Sequence, residues 1–377
     1  MYELSTKPDF EKTVARFEAW WFGEIVDRLP INVSTYEMKP GASFPEKEHA
    51  SLRERWMDVE FQVERALAWA QATIFVGDSY PCVHPNLGPD LTTTLFNAEL
   101  EYGEDTSWVK HVVHSPEEWQ PYLEMAFNFD NPYWQAMEDM TRLAIERSDH
   151  RLLVGQTDLH NSYDILAGLR SPQALCMDLY DCPDLIEQLA DRAADAMIAS
   201  LERSFTLVEG TGMGSASWIP YYHQGRAYIP SCDFLALVSK RMGDRYILPM
   251  VRKEMSVLDR SIFHLDGPTS LQHLDSLLAI EELHGIQWVY GAGNGDADKW
   301  IDVYRRCLQH GKCLQVVCET QQAAVNCLRA LGPRGVWLCV GEPFATALEA
   351  ENFIHYLTEI ASETESLYRA HPIADAA

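Results

Sequence analysis

The sequence is short of positive charge and of long apolar runs. Its 377 residues include 30 Lys and Arg against 56 Asp and Glu, which gives a formal net charge of -26 at pH 7. No basic cluster interrupts this balance, so nucleic acid and anionic membrane surfaces are poor partners. No apolar run approaches the roughly 18 residues of a membrane-spanning helix, and the N-terminus lacks the basic and apolar regions of a signal peptide. We therefore expect a soluble, cytoplasmic protein.

Two further motifs are missing. The nine cysteines are irregularly spaced and include no CxxC pair, which favours a reducing compartment where thiols are buried residues or ligands. "GAGNGD" (291–296) lacks the last glycine of the dinucleotide fingerprint GxGxxG. An open nucleotide-binding sheet is therefore not indicated.

Short apolar runs alternate with helix-period segments along most of the chain. We predict eight strands within these runs: 29–37, 72–81, 151–160, 213–222, 261–267, 286–293, 313–319 and 335–342. Strand alternating with helix is typical of a parallel sheet covered by helices. The sequence predicts a single α/β domain over 1–377, a (β/α)₈ TIM-type barrel, with an insertion at about 82–115 over its C-terminal face.

Polar residues follow many of the predicted strands. In a parallel barrel the strand C-termini meet at one face, so such residues converge there. We predict catalytic roles for Asp158, His160, His223 and Asp266. Predicted substrate-binding residues are Asp78, Asn161, Trp218, Tyr221, Tyr222, Arg226 and Glu319.

The stretch "SIFHLDGP" (261–268) contains residues that could bind a metal ion. Side chains alternate along a strand, so His264 and Asp266 point to the same side. With Cys339 or Cys318 from across the mouth they could form a three-ligand zinc site that leaves one position for substrate. The same residues also fit metal-free acid–base chemistry, with Asp266 or Asp158 beside His264 or His223. Residue chemistry alone leaves both options open.

Two long segments, 155–191 and 231–293, resemble the uroporphyrinogen decarboxylase superfamily, and more closely its corrinoid-dependent, trimethylamine-corrinoid-like methyltransferases. The resemblance covers about residues 50–360 and implies a (β/α)₈ barrel. It also implies zinc on a His-x-Cys pair and a later Cys. Here His264 matches, Asp266 stands at the first Cys position, and Cys339 lies nearer the expected later Cys than Cys318 does.

The resemblance implies a methyltransferase that moves a methyl group between a small methylated substrate and a corrinoid protein, zinc-assisted through His264, Asp266 and Cys339. It also implies a homodimer. The arginine-rich substrate motif of true uroporphyrinogen decarboxylases is absent, and "RFEAWWFGEIVDRLPINVS" stands in its place. Two alternatives remain: a metal-free decarboxylase or lyase acting on a small carboxylate anchored by Arg226, and a non-catalytic ligand-binding barrel.

Overall fold

The computed structural model describes residues 2–370. The strands of this part of the chain are β1 (Ile31–Asn32), β2 (Cys82–Val83), β3 (Leu100–Tyr102), β4 (Ser107–Val109), β5 (Leu153–Val154), β6 (Ala227–Tyr228), β7 (Arg260–Asp266), β8 (Gly285–Val289), β9 (Cys313–Cys318) and β10 (Val336–Val340). Six of them form a parallel sheet in the order β1-β10-β9-β8-β7-β6, and β2 pairs with β5, also in parallel.

Irregular segments connect these two sheets into a ring. Between β5 and β6, the N–H of Gln156 donates to Ala216 O (2.8 Å), and the N–H of Ala227 donates to Ser215 Oγ (3.2 Å). Between β1 and β2, the N–H of Asp78 donates to Ile31 O (2.8 Å). The curled parallel sheet confirms the predicted α/β barrel.

Helices follow the strands and cover the sheet. They are α1 (Phe10–Trp20), α2 (Leu52–Met57), α3 (Val59–Ala72), α4 (Pro132–Ser148), α5 (Ser162–Arg170), α6 (Pro172–Asp181), α7 (Pro183–Val208), α8 (Lys240–Met242), α9 (Leu248–Glu254), α10 (Leu274–Leu278), α11 (Ile301–Gln309), α12 (Gln321–Leu331) and α13 (Ala347–Ala370). Helix starts carry local signals; for example, Asn131 caps α4 by accepting from the N–H groups of Tyr133 and Trp134, and Pro132 fits its first turn. No described helix is long and apolar enough to cross a membrane.

Two of the eight predicted strands are wrong in position. Residues 72–81 contain no regular strand; Gly77 forms an isolated antiparallel bridge with Asn32, and β2 begins only at Cys82. Residues 213–222 form one isolated bridge, from Ser215 to His223, and the strand next to β7 is β6, further along the chain. Apolar composition identified these regions, but chain direction and pairing depend on contacts that are distant in sequence.

The strands β3 and β4 form an antiparallel hairpin between β2 and β5. Asp105 and Thr106, in the turn of this hairpin, line the same cavity as His264 and Asp266 at the end of β7. The hairpin therefore lies against the C-terminal ends of the barrel strands, where it helps to enclose the mouth.

Candidate active site and metal centre

A cavity of about 340 Å³ lies at the C-terminal ends of β5, β6 and β7, and we call it the acidic cavity. It is lined by Trp56, Asn86, Gly88, Pro89, Asp105, Thr106, Asp158, His160, Trp218, Ser231, Asp233, His264 and Asp266. Four of these residues are aspartates and two are histidines, and none is Lys or Arg. The cavity therefore favours cations or neutral polar molecules over anions.

Three of these residues form a group that could hold a metal ion. Asp233, His264 and Asp266 each offer one ligand atom, and these atoms lie within 4.8 Å of one another. His264 and Asp266 share one side of β7, as alternation along a strand requires. Asp233 follows β6, the neighbouring strand, and its backbone is held by Asp164 on α5, which accepts from the N–H groups of Asp233 (3.0 Å) and Phe234 (2.8 Å).

The His264 imidazole is oriented by its neighbour on β8. His264 and Gln287 are register partners, and the Nδ1–H of His264 donates to Oε1 of Gln287. Because an amide oxygen can only accept, the proton lies on Nδ1 and the lone pair of Nε2 is available to a metal. Trp218 packs edge-on against the imidazole, with ring centroids 5.2 Å apart. The indole N–H of Trp218 is buried and has no partner among the described residues.

His160 is the cationic group of the acidic cavity. Burial lowers the pKa of its imidazole, but the ion pair with Asp90 (Nδ1 to Oδ1, 3.6 Å) and the charges of Asp164 and Asp158 outweigh burial and raise the pKa to about 10. Burial raises the pKa of Asp158, although the charge of His160 opposes it. A protonated imidazole and a carboxyl group that holds its proton more tightly than usual thus face one cavity.

The buried carboxyl group of Glu254, behind the acidic cavity, holds the backbone and side chains that follow His160 in place. Glu254 on α9 accepts from the N–H of Ser162 (2.9 Å) and from Nδ2 of Asn161 (3.1 Å), directly after His160. Burial raises the pKa of Glu254 to about 7. Asn161, predicted to bind substrate, is fully buried and caps α5, so it supports the wall.

The structure does not bring Cys339 into the group of Asp233, His264 and Asp266. Cys339 is on β10, separated from β7 by β8 and β9, and lines a different cavity, where its Sγ accepts from Nε2 of Gln315 (3.2 Å). Burial raises the pKa of its thiol to about 12. Cys318 is fully buried and is a free thiol; interaction with the thiol of Cys327 on α12, together with burial, raises its pKa, so Cys318 faces the helices.

Arg226 and His223 lie away from the strand C-termini, which corrects their predicted position. Arg226 precedes β6; its N–H donates to Asp259 beside the start of β7, and its side chain pairs with Glu209. β7 extends about 20 Å from there to Asp266, at about 3.3 Å per residue. His223 pairs with Glu18 of α1 (3.0 Å) and lies near Asp259. Both therefore lie at the N-terminal end of the barrel, because they precede their strand.

Asp78 also departs from its predicted place. It is fully buried and accepts from Arg16, Arg28 and the N–H of Ile31, which begins β1. These partners occupy its carboxylate. Asp78 thus pairs with two arginines inside the fold and is closed to substrate.

Of the other residues predicted to bind substrate, Trp218 lines the acidic cavity, whereas Tyr221, Tyr222 and Glu319 do not. Tyr221 and Tyr222 are buried in the core; the hydroxyl of Tyr221 donates to Ala227 O, and Tyr222 packs edge-on against Phe10. Glu319 follows β9 on the surface, where its N–H donates to Asp296. The pattern of an apolar run followed by a polar residue therefore predicted where the barrel mouth lies. It could not predict which side chains face the acidic cavity.

Sequence reasoning missed Asp233 and Gln287. Asp233 was interpretable as a helix cap, because Ser or Asp before a helical pattern is the usual cap signal. Had β6 been recognised as the strand next to β7, the rule that polar strand ends converge would have included Asp233. Gln287 lies inside an apolar strand and carries no motif; only its register opposite His264 reveals its role.

The fold is similar to that of a methyltransferase from Methanosarcina mazei, with a TM-score of 0.60 and 15% sequence identity, over 94% of this chain and 99% of that chain. A B12-independent methionine synthase from Shewanella sp. W3-18-1, in complex with selenomethionine, is similar at a TM-score of 0.42 and 9% identity, over 90% and 96% of the two chains, which is too weak to carry functional weight. No protein-family model and no curated protein matches the chain. At these identities, the first similarity shows a shared barrel fold.

Proposed function

We propose that the chain is a zinc-assisted methyltransferase that moves a methyl group between a small methylated substrate and a separate corrinoid protein. The observation that carries the proposal is the group of Asp233, His264 and Asp266 at the barrel mouth. The fold of the Methanosarcina mazei methyltransferase, to which this fold is similar, supports the reaction class. The corrinoid partner and membership of the uroporphyrinogen decarboxylase superfamily are parts of the same proposal.

The donor set fits a divalent cation. One imidazole nitrogen and two carboxylates are ligands that zinc accepts, although they are harder than the thiolates of the resembling family. A tetrahedral zinc holds its ligand atoms about 3.4 Å apart, as follows from bonds of about 2.1 Å. Asp233 and Asp266 are exposed, so their side chains can rotate to close the present separations of up to 4.8 Å. Cys339 is not needed for this set.

The chain's own residues then have distinct tasks. His264, oriented by Gln287, would bind the ion together with the two carboxylates. A bound zinc ion would stabilise the thiolate or alkoxide that leaves when the corrinoid takes the methyl group, and in the reverse direction it would lower the pKa of the thiol or hydroxyl that accepts the methyl group. Asp158, whose pKa is raised by burial, can give a proton to the leaving group in the first direction and take up the proton of the thiol or hydroxyl in the second. Trp218 closes one wall and offers an unpaired N–H to the substrate.

The metal-free decarboxylase or lyase is favoured by one observation, the pairing of Asp158 with protonated His160 in one cavity. This alternative, however, loses the residue predicted to hold the carboxylate of its substrate. Arg226 lies at the other end of the barrel, and the acidic cavity has no Lys or Arg among its described lining residues to hold a carboxylate. The cavity's charge therefore supports a neutral or cationic methylated substrate instead.

Zinc retention tests the centre directly. The protein is loaded with zinc, dialysed, and analysed by plasma mass spectrometry alongside His264→Ala and the control His355→Ala, which changes an exposed histidine on α13. We expect equimolar zinc in the wild type and the control, and loss of zinc in His264→Ala. Gln287→Leu removes the acceptor that orients the imidazole, and we expect zinc affinity to fall roughly 10- to 100-fold.

Methyl transfer is then assayed with free cob(I)alamin as the probe for the carrier, across methylated amines, thiols and alcohols, by the absorbance change on formation of methylcobalamin. We expect activity that depends on zinc and is lost in His264→Ala. A wild type that retains no zinc, or zinc retained by His264→Ala, would refute the metal centre. Zinc binding with no transfer to cob(I)alamin from any of these compounds would favour the ligand-binding barrel.

A further inference from the structure

A second cavity lies beside the acidic cavity, at the C-terminal ends of β9 and β10 and after β1. Its volume is about 560 Å³, within the range of roughly 300–1,000 Å³ that is usual for small-molecule sites. We call it the apolar cavity. Cys339 and Gly341 belong to its lining, and none of the three metal-site residues does.

The walls of this cavity are mostly apolar. They include Val33, Met38, Trp69, Ile74, Phe75 and Val317. Met38 and Trp69 are also exposed to solvent, so apolar surface continues from the cavity to the outside. Glu37 is the charged member among the described lining residues, and its carboxylate accepts from the N–H of Ala347. An anionic ligand would therefore find no counter-charge there, and the one carboxylate that a cationic ligand could meet belongs to an exposed residue.

One deeply buried polar group in the lining has no partner. Gln315 is 2% exposed, and its Nε2 donates to Sγ of Cys339, while its Oε1 accepts from no described residue. Thr73, also in the lining, has a buried Oγ1 without a partner. An unpaired buried acceptor is unfavourable, and a ligand with an N–H or O–H group would satisfy it.

We infer that the apolar cavity is a second ligand-binding site, for a neutral and largely apolar organic molecule that donates one hydrogen bond to Oε1 of Gln315. This inference goes beyond the proposed function, because binding there requires no metal. Gln287 lines the apolar cavity and also orients His264. A molecule in the apolar cavity is therefore separated from the metal centre by one side chain, as the two ligands of a group-transfer enzyme need to be.

A matched pair of probes tests the hydrogen bond. 2-Naphthol has an apolar bicyclic body and one O–H donor, and 2-methoxynaphthalene has the same body without the donor. Binding of each is measured by isothermal titration calorimetry and ligand-observed NMR, with and without EDTA. We expect 2-naphthol to bind about tenfold more tightly, as one satisfied buried acceptor implies, and EDTA to change neither affinity.

Variants locate the site. Gln315→Leu should remove the preference for 2-naphthol, Ile74→Trp should weaken both probes by filling the cavity, and Met177→Ala, an exposed apolar residue of α6, should change neither. Equal affinity of the wild type for the two probes, or no saturable binding, would overturn the inference whatever the variants do. Because EDTA removes the metal alone, loss of zinc-dependent methyl transfer and loss of probe binding are distinguishable.

Discussion

Glu254 makes the wall of the acidic cavity sensitive to pH. The burial of Glu254 raises its pKa from 4.5 to about 7 while it accepts from Ser162 and Asn161. Between these two values the folded chain binds more protons than the unfolded chain. Its contribution to stability is therefore complete below pH 4.5 and is lost as pH rises through 7. Each unit of pKa difference corresponds to about 1.4 kcal/mol.

We predict that Glu254→Gln removes this pH dependence. For a carboxyl group with these two pKa values, the free energy of unfolding falls by about 2.5 kcal/mol between about pH 5 and about pH 8. Urea unfolding of the wild type and Glu254→Gln at both pH values measures it, and the variant should lose about 2.5 kcal/mol less than the wild type over the same interval. The control is Glu146→Gln, at an exposed glutamate of α4, whose pH dependence should match the wild type.

The result that would refute this reasoning is an equal change in the free energy of unfolding for the wild type and Glu254→Gln over the interval. That outcome would mean that Glu254 is already ionised at about pH 5 in the folded chain, as it is in the unfolded chain. Burial would then not determine the pKa of this carboxyl group, because the hydrogen bonds from Ser162 and Asn161 would be enough to stabilise its negative charge.

Two further predictions concern the histidines of the fold and one glycine. In imidazole NMR, His160 should remain protonated at about pH 8, because its pKa is raised to about 10, whereas His84 and His284, whose pKa values burial lowers to about 4, should be neutral at about pH 6. Asp90→Asn should lower the pKa of His160, and an unchanged titration would exclude Asp90 as its partner. Gly155→Ala should destabilise the fold by roughly 1–3 kcal/mol in urea unfolding, because a Cβ there would lie 2.4 Å from Ala216 O. Gly168→Ala on α5, where the nearest neighbours of a Cβ are the side chains of Thr93 (3.3 Å) and Val109 (3.7 Å), should cost less, and equal losses would contradict the close approach of β5 to the segment at Ala216.

The prediction from sequence was most accurate for β7, because this one strand contains both the apolar pattern and two of the candidate metal ligands. "SIFHLD" (261–266) lies within β7, and alternation alone places His264 and Asp266 together on one side of the strand. Strands β2, β5 and β6 are two residues long. The apolar runs in the sequence are longer than these strands, so they do not predict where the strands begin and end. Where pairing is this short, hydrogen bonds from irregular segments decide the chain's path.

Residues whose roles depend on partners from distant elements could not be predicted. Asp78 follows an apolar run as a catalytic residue would, but Arg16 and Arg28 occupy its carboxylate. The predicted strand at 213–222 would place Arg226 just after a strand end, at the mouth of the barrel. The chain reverses at Ser215 and His223, and this reversal places Arg226 at the start of β6, at the opposite end of the barrel.

Register across β7, β8 and β9 joins the two cavities at the mouth. His264 is aligned with Gln287, and Gln287 with Gln315, so these three side chains form one row across neighbouring strands. A shift of β8 by one residue would replace Gln287 in this row by Ile286 or Trp288, neither of which can accept from Nδ1 of His264. The tautomer of the imidazole is thus a property of strand pairing. His264 is the one nitrogen donor among Asp233, His264 and Asp266, so its orientation by Gln287 would decide how well this group could hold a metal.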